Sequence, residues 1–139
     1  MATITELPDI ISDYDYGTRY NHLKYLQGEH IPRLYAAEVS CKILKFLVLE
    51  DCGETASEEK VDESFWVKAK TAIVAFHKFG VIHGDIKLDN FAISKDGSRV
   101  TALDLGFCQR GSPAQQKAEL AELDDLKRSW QRMQEGAAE

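Results

Sequence analysis

The chain has 139 residues and a formal net charge of −6, with 44% hydrophobic and 29% charged residues. This length predicts one domain with a core of its own, and the composition is ordinary for a globular protein in water. The acidic balance argues against broad binding to nucleic acids or anionic membranes, because both need clustered Lys and Arg.

The three cysteines, Cys41, Cys52 and Cys108, lie far apart and form no CxxC pair. Neither a zinc site nor a disulfide framework is therefore expected, and the cysteines read as reduced, small apolar residues. Residues 1–9 lack the basic and apolar segments of a secretory signal, and no apolar run approaches the roughly 20 residues of a membrane span. The expected location is the cytoplasm, without membrane contact.

The first part of the chain predicts one helix and two strands. Ser12 can cap a helix that ends at Gly28, where glycine is a natural terminator. Residues 31–39 and 43–49 predict two antiparallel strands joined by a turn at residues 40–42. The end of the second strand, FLVL, is apolar enough to predict burial on both faces.

The rest of the chain predicts a helix, a hairpin and a second helix. After an acidic connector, a helix with one apolar face runs to about Phe79 and is stopped by Gly80. Residues 91–93 and 100–103 predict two short strands around a turn. Ser112 and Gln115 form a capping box at the start of the final helix. Its apolar stripe is expected to pack on the preceding helix, and consists of Leu123, Leu126, Trp130 and Met133.

Residues 81–90, VIHGDIKLDN, carry the most informative pattern, and Asp104-Leu105-Gly106 follows after the predicted hairpin. Phosphoryl transfer needs a positioned acceptor hydroxyl, neutralised phosphate charge and one or two bound Mg²⁺ ions. Asp85 can accept the hydroxyl proton, and Lys87 can reach the moving phosphoryl group. Asn90 and Asp104 offer hard oxygen ligands to Mg²⁺. The pattern therefore predicts a phosphoryl-transfer site, in which His83 is expected to be a buried structural residue.

This stretch resembles the catalytic loop of the protein-kinase-like superfamily, with residues 104–106 in the place of the metal-binding Asp-Phe-Gly. Residues 47–53, LVLEDCG, resemble the strand, gatekeeper and hinge that hold adenine. The resemblance implies that Leu49 is the gatekeeper and that main-chain groups of Glu50 and Cys52 bind the adenine of ATP.

The resemblance also extends to residues 23–35, which are similar to the end of the small-lobe helix and the next strand in small fungal kinase-like proteins. It implies an α+β fold, a partial protein-kinase-like fold truncated relative to a full kinase domain. Residues 12–50 would form a remnant small lobe, residues 51–54 the hinge, and residues 55–139 a reduced helical large lobe with the catalytic loop and β-hairpin. Such a reduced lobe leaves apolar surface for a protein partner or an oligomer to cover.

Several features depart from the kinase pattern. No Gly-rich loop precedes the first helix, and no lysine occurs before Lys24 to hold the phosphates of the nucleotide. Asp13 and Asp15 could be the carboxylate partner of such a lysine, but an acidic first turn also suits the helix dipole. Gly84 stands where most protein kinases carry Arg, as in aminoglycoside-phosphotransferase-like kinases. Only 33 residues follow Gly106.

These observations leave competing functions open. One is a weak ATP-dependent phosphotransferase, with Mg²⁺, acting on the hydroxyl of a protein or a small molecule. The alternative is a non-catalytic pseudokinase that serves as a nucleotide-binding or protein-interaction module, and a truncated product without a role of its own is a third. The retained loop favours the enzyme, whereas the missing phosphate-binding parts favour the pseudokinase.

Overall fold

The computed structural model describes residues 23–40 and 44–138, and the elements named below lie within them. The strands are β1 (Leu34–Ser40), β2 (Leu44–Leu49), β3 (Glu54–Thr55), β4 (Val81–Ile82), β5 (Phe91–Ile93), β6 (Val100–Ala102) and β7 (Gln109–Arg110). The helices are α1 (Glu63–Lys78) and α2 (Pro113–Ala138), and the 3-10 turns are Lys24–Leu26, Leu88–Asn90 and Leu105–Phe107. Two helices with small antiparallel sheets make an α+β fold, as the sequence predicts.

The helix predicted from Ser12 lies outside the described residues except for its end, and so do Asp13, Asp15 and Cys41. The described end is the 3-10 turn Lys24–Leu26, and Gly28 follows it with a φ of 84°. Leu23 and Leu26 are both buried in the core, so this end of the segment is anchored to the rest of the protein.

The two predicted strands of the first part pair antiparallel as β1 and β2, with Leu34 opposite Leu49 and Ser40 opposite Leu44. The prediction that the end of β2 is buried on both faces is wrong, since Val48 is 43% and Leu49 37% exposed. In the described part of the chain β1 is the only strand that pairs with β2. A two-stranded sheet leaves its open edge and much of its surface in contact with water.

Helix α1 forms the centre of the core. The Asp62 carboxylate caps it by accepting a hydrogen bond from the main-chain N–H of Phe65 at 2.9 Å, and the helix ends before Gly80, which has a φ of 73°. The predicted apolar face is buried, and the β5–β6 hairpin packs on it, with the Phe65 and Phe91 rings 5.7 Å apart. This packing fixes the hairpin, and with it the loop that precedes β5.

Helix α2 packs on α1 through most of its predicted stripe. Leu123 and Trp130 are buried, and the Trp130 ring lies 5.9 Å from the ring of Trp66 on α1. The stripe ends before Met133, which is 42% exposed. The expected packing of the two helices is therefore confirmed.

Exposed apolar side chains occur on several elements, among them Tyr25, Tyr35 and Phe107. The protein partner or oligomer predicted to cover such surface stays a prediction. Over residues 23–40 and 44–138, no helix has the length and the apolar character needed to cross a membrane.

The capping box of α2 gives the first test of the fold. The Ser112 Oγ accepts from the Gln115 N–H at 3.2 Å, and the Gln115 Oε1 accepts from the Ser112 N–H at 2.8 Å. We expect Ser112→Ala to lower the free energy of unfolding by about 1 kcal/mol in urea denaturation, because it removes the cap. The control Ser129→Ala, on the exposed face of α2, should change it by less than about 0.5 kcal/mol. Equal losses in the two variants would contradict the role of the cap.

Candidate active site

Two antiparallel pairs bring the predicted site loops to one place. β4 pairs with β7, with Ile82 opposite Gln109, and β5 pairs with β6, with Phe91 opposite Ala102. The loop of residues 83–90 leaves β4 and enters β5, whereas residues 103–108 leave β6 and enter β7. The main-chain N–H of Leu103 donates to the Asn90 carbonyl at 2.7 Å. The hairpin therefore places Asn90 beside the residue that precedes Asp104.

Two of the predicted site residues, Lys87 and Asn90, contact a third, Asp85. The Asn90 Nδ2 donates to the main-chain oxygen of Asp85 at 2.8 Å and to its Oδ2 at 2.9 Å. The Lys87 Nζ lies 3.8 Å from the same Oδ2. Asn90 is buried, whereas the side chains of Asp85 and Lys87 are 28% and 52% exposed. The Asp85 carboxylate is thus oriented from the buried side and accessible from the solvent side.

Asp104 adopts an unusual backbone conformation. It has φ 55° and ψ 83°, and it is the one residue other than glycine with a positive φ in residues 23–40 and 44–138. Its Oδ1 accepts from the Gly106 N–H at 3.1 Å, and the side chain is exposed. Such left-handed positions cost free energy and are concentrated at functional sites, with Asp and Asn the side chains that tolerate them best.

Among residues 23–40 and 44–138, no group of three or more His, Cys, Asp and Glu side chains could hold a metal ion. Mg²⁺ does not need such a group, because it keeps several waters and is bound by one or two carboxylates together with substrate phosphates. Asn90 and Asp104 fit that pattern, because the Asn90 Nδ2 is directed to Asp85 and its amide oxygen is the atom left for a cation.

His83 joins the two loops, as expected of a buried structural residue. Its Nδ1 accepts from the Asp85 N–H at 3.2 Å, so the hydrogen is on Nε2, which lies 2.7 Å from the Leu103 carbonyl. The ring also packs against Phe76 of α1, with centroids 5.6 Å apart. One imidazole therefore sets the spacing between the Asp85 main chain and the segment that carries Asp104.

Sequence reasoning missed Glu119, a buried carboxylate on α2 that is 3% exposed. It accepts hydrogen bonds from the main-chain N–H groups of His83 and Gly84, at 3.0 and 2.8 Å, and it contacts the Nε2 of His77 at 2.9 Å. A signal exists, because Glu119 precedes Leu123 by four residues and so lies on the apolar face of an amphipathic helix. A charged residue on such a face needs partners.

The predicted hinge residues form a second cluster, held by Arg99. The Glu50 carboxylate accepts from the Arg99 Nη1 and Nη2 at 3.1 and 3.2 Å. This hydrogen-bonded pair lowers the pKa of Glu50 below its ordinary value of 4.5. Cys52 is buried beside the pair, and burial raises the pKa of its thiol. A cavity of about 200 Å³ opens at residues 51–53, and its lining includes Cys52 but none of residues 83–90.

Gly84 lies directly against the segment that follows Asp104. It has a φ of 89°, and a Cβ atom at this position would lie 2.3 Å from the main-chain oxygen of Phe107. No side chain fits between the loop of residues 83–90 and the segment after Asp104. This contact explains why glycine, rather than the Arg of most protein kinases, occupies the position.

Comparison with models of known protein families gives a match. The model of the family described as "Lipopolysaccharide kinase (Kdo/WaaP) family" matches residues 39–139, which include β2, the loop of residues 83–90, Asp104 and α2. No curated protein matches the chain.

The contact at Gly84 gives a paired prediction. Gly84→Ala should lower the free energy of unfolding by more than about 2 kcal/mol, because it adds a clash with Phe107 to the strain of a positive φ. Gly97→Ala is the matched control, since Gly97 has a φ of 76° and open space around a Cβ atom. It should cost about 1 kcal/mol in the same urea denaturation. Equal costs would show that the loops are not in contact.

The Glu50–Arg99 pair predicts a pH dependence of stability. A carboxyl whose pKa is lowered on folding stabilises the protein above its unfolded value of about 4.5, and this contribution is lost as the pH falls through the folded pKa. Glu50→Gln should therefore lower the free energy of unfolding by about 1 kcal/mol at pH 7, with the difference from wild type shrinking below about pH 4.5. Glu58→Gln, at an exposed position, should show little difference at any pH. A constant difference for Glu50→Gln would contradict the pair.

Proposed function

Because the chain belongs to the lipopolysaccharide kinase (Kdo/WaaP) family, within the protein-kinase-like superfamily, we propose that it is an ATP-dependent phosphotransferase. It transfers the γ-phosphoryl group of ATP to a hydroxyl acceptor. The observation that supports this proposal best is the contact of Asp85, Lys87 and Asn90 in one loop, with Asp104 brought beside it by the β5–β6 hairpin.

Each of the four residues has a role in the proposed reaction. Asp85 orients the acceptor hydroxyl and takes its proton, and the two hydrogen bonds from Asn90 hold the carboxylate for this task. Lys87 is half-exposed beside Asp85 and neutralises charge on the phosphoryl group. Asn90 and Asp104 would hold Mg²⁺, which supplies charge neutralisation of the phosphates when bound.

The cluster of Glu50, Cys52 and Arg99 supports the proposed binding of the nucleotide. Main-chain groups of Glu50 and Cys52, next to Leu49, would bind adenine. The Arg99 guanidinium fixes the Glu50 side chain and also donates to the Glu29 carbonyl at 3.1 Å, so the hinge is tied to the segment before β1. A hinge that is fixed in advance loses less conformational entropy when it binds a ligand.

The acceptor is a hydroxyl of either a protein or a small molecule. The description of the family names lipopolysaccharide, so glycan hydroxyls belong in the first acceptor panel beside Ser and Tyr hydroxyls of proteins. The loop chemistry is the same for all of them, because Asp85 needs only a hydroxyl proton to accept.

A non-catalytic pseudokinase is the second candidate, favoured by the single Lys, Lys87, in the loop of residues 83–90. Lys87 would then be the one cation of the loop available to the phosphates. Removal of a charge-neutralising group typically costs two to three orders of magnitude in rate, so nucleotide binding without transfer would fit this sequence.

Thermal unfolding with and without Mg-ATP separates the candidates. Ligand at a hundred times its Kd adds about 2.7 kcal/mol of stability, which raises Tm by several degrees. We expect this shift in the wild type and in Asp85→Asn, and a much smaller one in Asp104→Asn. Asn keeps the left-handed conformation of Asp104 while removing an anionic ligand. The exposed loop residue Asp89, as Asp89→Asn, is the control and should keep the full shift.

Labelled ATP then tests transfer to the acceptor panel. Transfer in the wild type that is lost in Asp85→Asn supports the enzyme, and a thermal shift without any transfer supports the pseudokinase. No thermal shift in the wild type would contradict both.

A further inference from the structure

A cavity of about 230 Å³ lies where α1 packs against α2. Both helices contribute to its lining, which consists of Trp66, Val67 and Lys70 on α1 and of Leu123, Asp124 and Lys127 on α2. Residues three and four apart lie on one face of a helix, so each set forms a single patch on its own helix. The lining includes none of the proposed catalytic or metal-binding residues, and the cavity is therefore separate from the candidate active site.

Two indoles pack together at this cavity and differ in their hydrogen bonding. The Trp130 Nε1 donates to the main-chain oxygen of Glu58 at 3.2 Å, whereas the Trp66 Nε1 is buried and has no hydrogen-bond partner among residues 23–40 and 44–138. Trp66 is 3% exposed, and its ring lies 5.9 Å from that of Trp130. A buried N–H without a partner destabilises a folded protein, and buried indoles usually have one. The Trp66 indole is therefore a donor for an acceptor bound in the cavity that it lines.

The charged side chains around the cavity favour a ligand with one negative charge. Lys70 and Lys127 contribute two positive charges to the lining and Asp124 one negative charge, which leaves a net charge of +1. The Lys127 Nζ also lies 3.4 Å from the Glu63 Oε2, but the two side chains are 33% and 66% exposed. Exposed pairs contribute little to stability, so Lys127 can turn toward a ligand. A monoanion matches this balance better than a dianion such as phosphate.

The rest of the lining is apolar and the space is small. Leu123 is buried, and Val67 leaves two thirds of its side chain exposed. Pockets that hold drug-sized ligands have volumes of about 300–1,000 Å³, so this cavity suits a molecule with fewer atoms. An aliphatic chain of a few carbons would cover Val67 and remove its surface from water.

We propose that this cavity binds a small aliphatic monocarboxylate. The carboxylate accepts the hydrogen bond of the Trp66 Nε1–H and pairs with Lys70 and Lys127, and the hydrocarbon chain packs on Val67 and Leu123. One ligand thus satisfies the buried donor and covers the apolar surface. Binding here does not depend on the phosphotransferase activity proposed above, because no catalytic or metal-binding residue takes part.

Hexanoate is the probe, and the indole N–H signals in the NMR spectrum of the ¹⁵N-labelled full chain are the readout. The chain has two tryptophans, so the signal that is lost in Trp66→Phe belongs to Trp66. Hexanoate should move this signal downfield in a saturable titration, because the N–H gains an anionic acceptor. The Trp130 signal should change little, since its N–H is already bonded to Glu58. Hexanol, which has the same chain length and no charge, should bind at least about tenfold more weakly.

Three variants test the individual contacts. In Trp66→Phe, followed through the main-chain amide signals of Val67 and Asp124, hexanoate should bind about tenfold more weakly, because the donor is lost and an aromatic ring remains. Lys70→Gln should weaken binding about two- to fivefold, the range of an exposed ion pair. Lys78→Gln is the matched control, at an exposed position in the last turn of α1 outside the cavity, and should bind hexanoate as the wild type does.

Several results would overturn the proposal. One is the absence of a saturable shift of the Trp66 signal, in which case water is the acceptor of its N–H, and another is hexanol that binds as tightly as hexanoate. Displacement of hexanoate by inorganic phosphate at the same concentration would overturn the choice of a monocarboxylate. If Trp66→Phe does not fold, Trp130→Phe assigns the signals and Lys70→Gln decides: an affinity equal to that of Lys78→Gln would overturn the proposal, and a weaker one would support it.

Discussion

A buried network of the Glu119 carboxylate and the His83 imidazole, rather than a sheet or helix, holds the loop of residues 83–90 in its conformation. Glu119 satisfies two consecutive main-chain N–H groups, and the ring of His83 bridges the loop to the strand end at Leu103. Asn90 then satisfies the Asp85 carbonyl from the other end of the loop. Main-chain polar groups that leave a strand need new partners, and in this protein long side chains from α2 and from the loop itself supply them.

Because this network is buried, all of its hydrogen bonds must be made for it to be stable. A carboxylate removed from water costs several kcal/mol unless its hydrogen bonds are all made, and the removal of one partner leaves the others unsatisfied. Glu119 has three donors within hydrogen-bonding distance, and His77 brings one of them from the last turn of α1. Both helices therefore meet at the loop, so the packing of Leu123 and Trp130 on α1 also determines the geometry of the site.

The elements that could be predicted from the sequence are those that depend on neighbouring residues in the chain. The period of α1, its stop at Gly80, the capping box of α2 and the hairpin after Asn90 each depend on residues within a few positions of one another. The packing of α2 on α1 was also predicted, but polar side-chain partners far apart in the chain were not. Glu119 is 36 residues from His83, and Arg99 is 49 from Glu50, and no periodicity relates residues at such distances.

The exposure of β2 was mispredicted for a related reason. An apolar run shows that a strand can be buried, but burial requires a second layer, and the run at Val48 and Leu49 carries no information about one. The spacing of Asp85, Lys87 and Asn90 predicted that the three would share a loop, and Lys87 and Asn90 do both contact Asp85. The αL conformation of Asp104 is set by tertiary structure and was not predicted, although Asp is among the residues that tolerate it best.

The segment after Asp104 limits how this site can be controlled. The 3-10 turn, β7 and the cap of α2 follow one another without a free loop, and the Gly111 N–H donates to the Gly80 carbonyl at 3.0 Å. At Gly84 the segment approaches the loop of residues 83–90 so closely that no side chain fits between them. Movement of this segment would break the β4–β7 pair, whose strand β4 leads directly into the residues bound by Glu119. Order–disorder switching of the segment would therefore also disrupt the loop of residues 83–90, so the two must be ordered together.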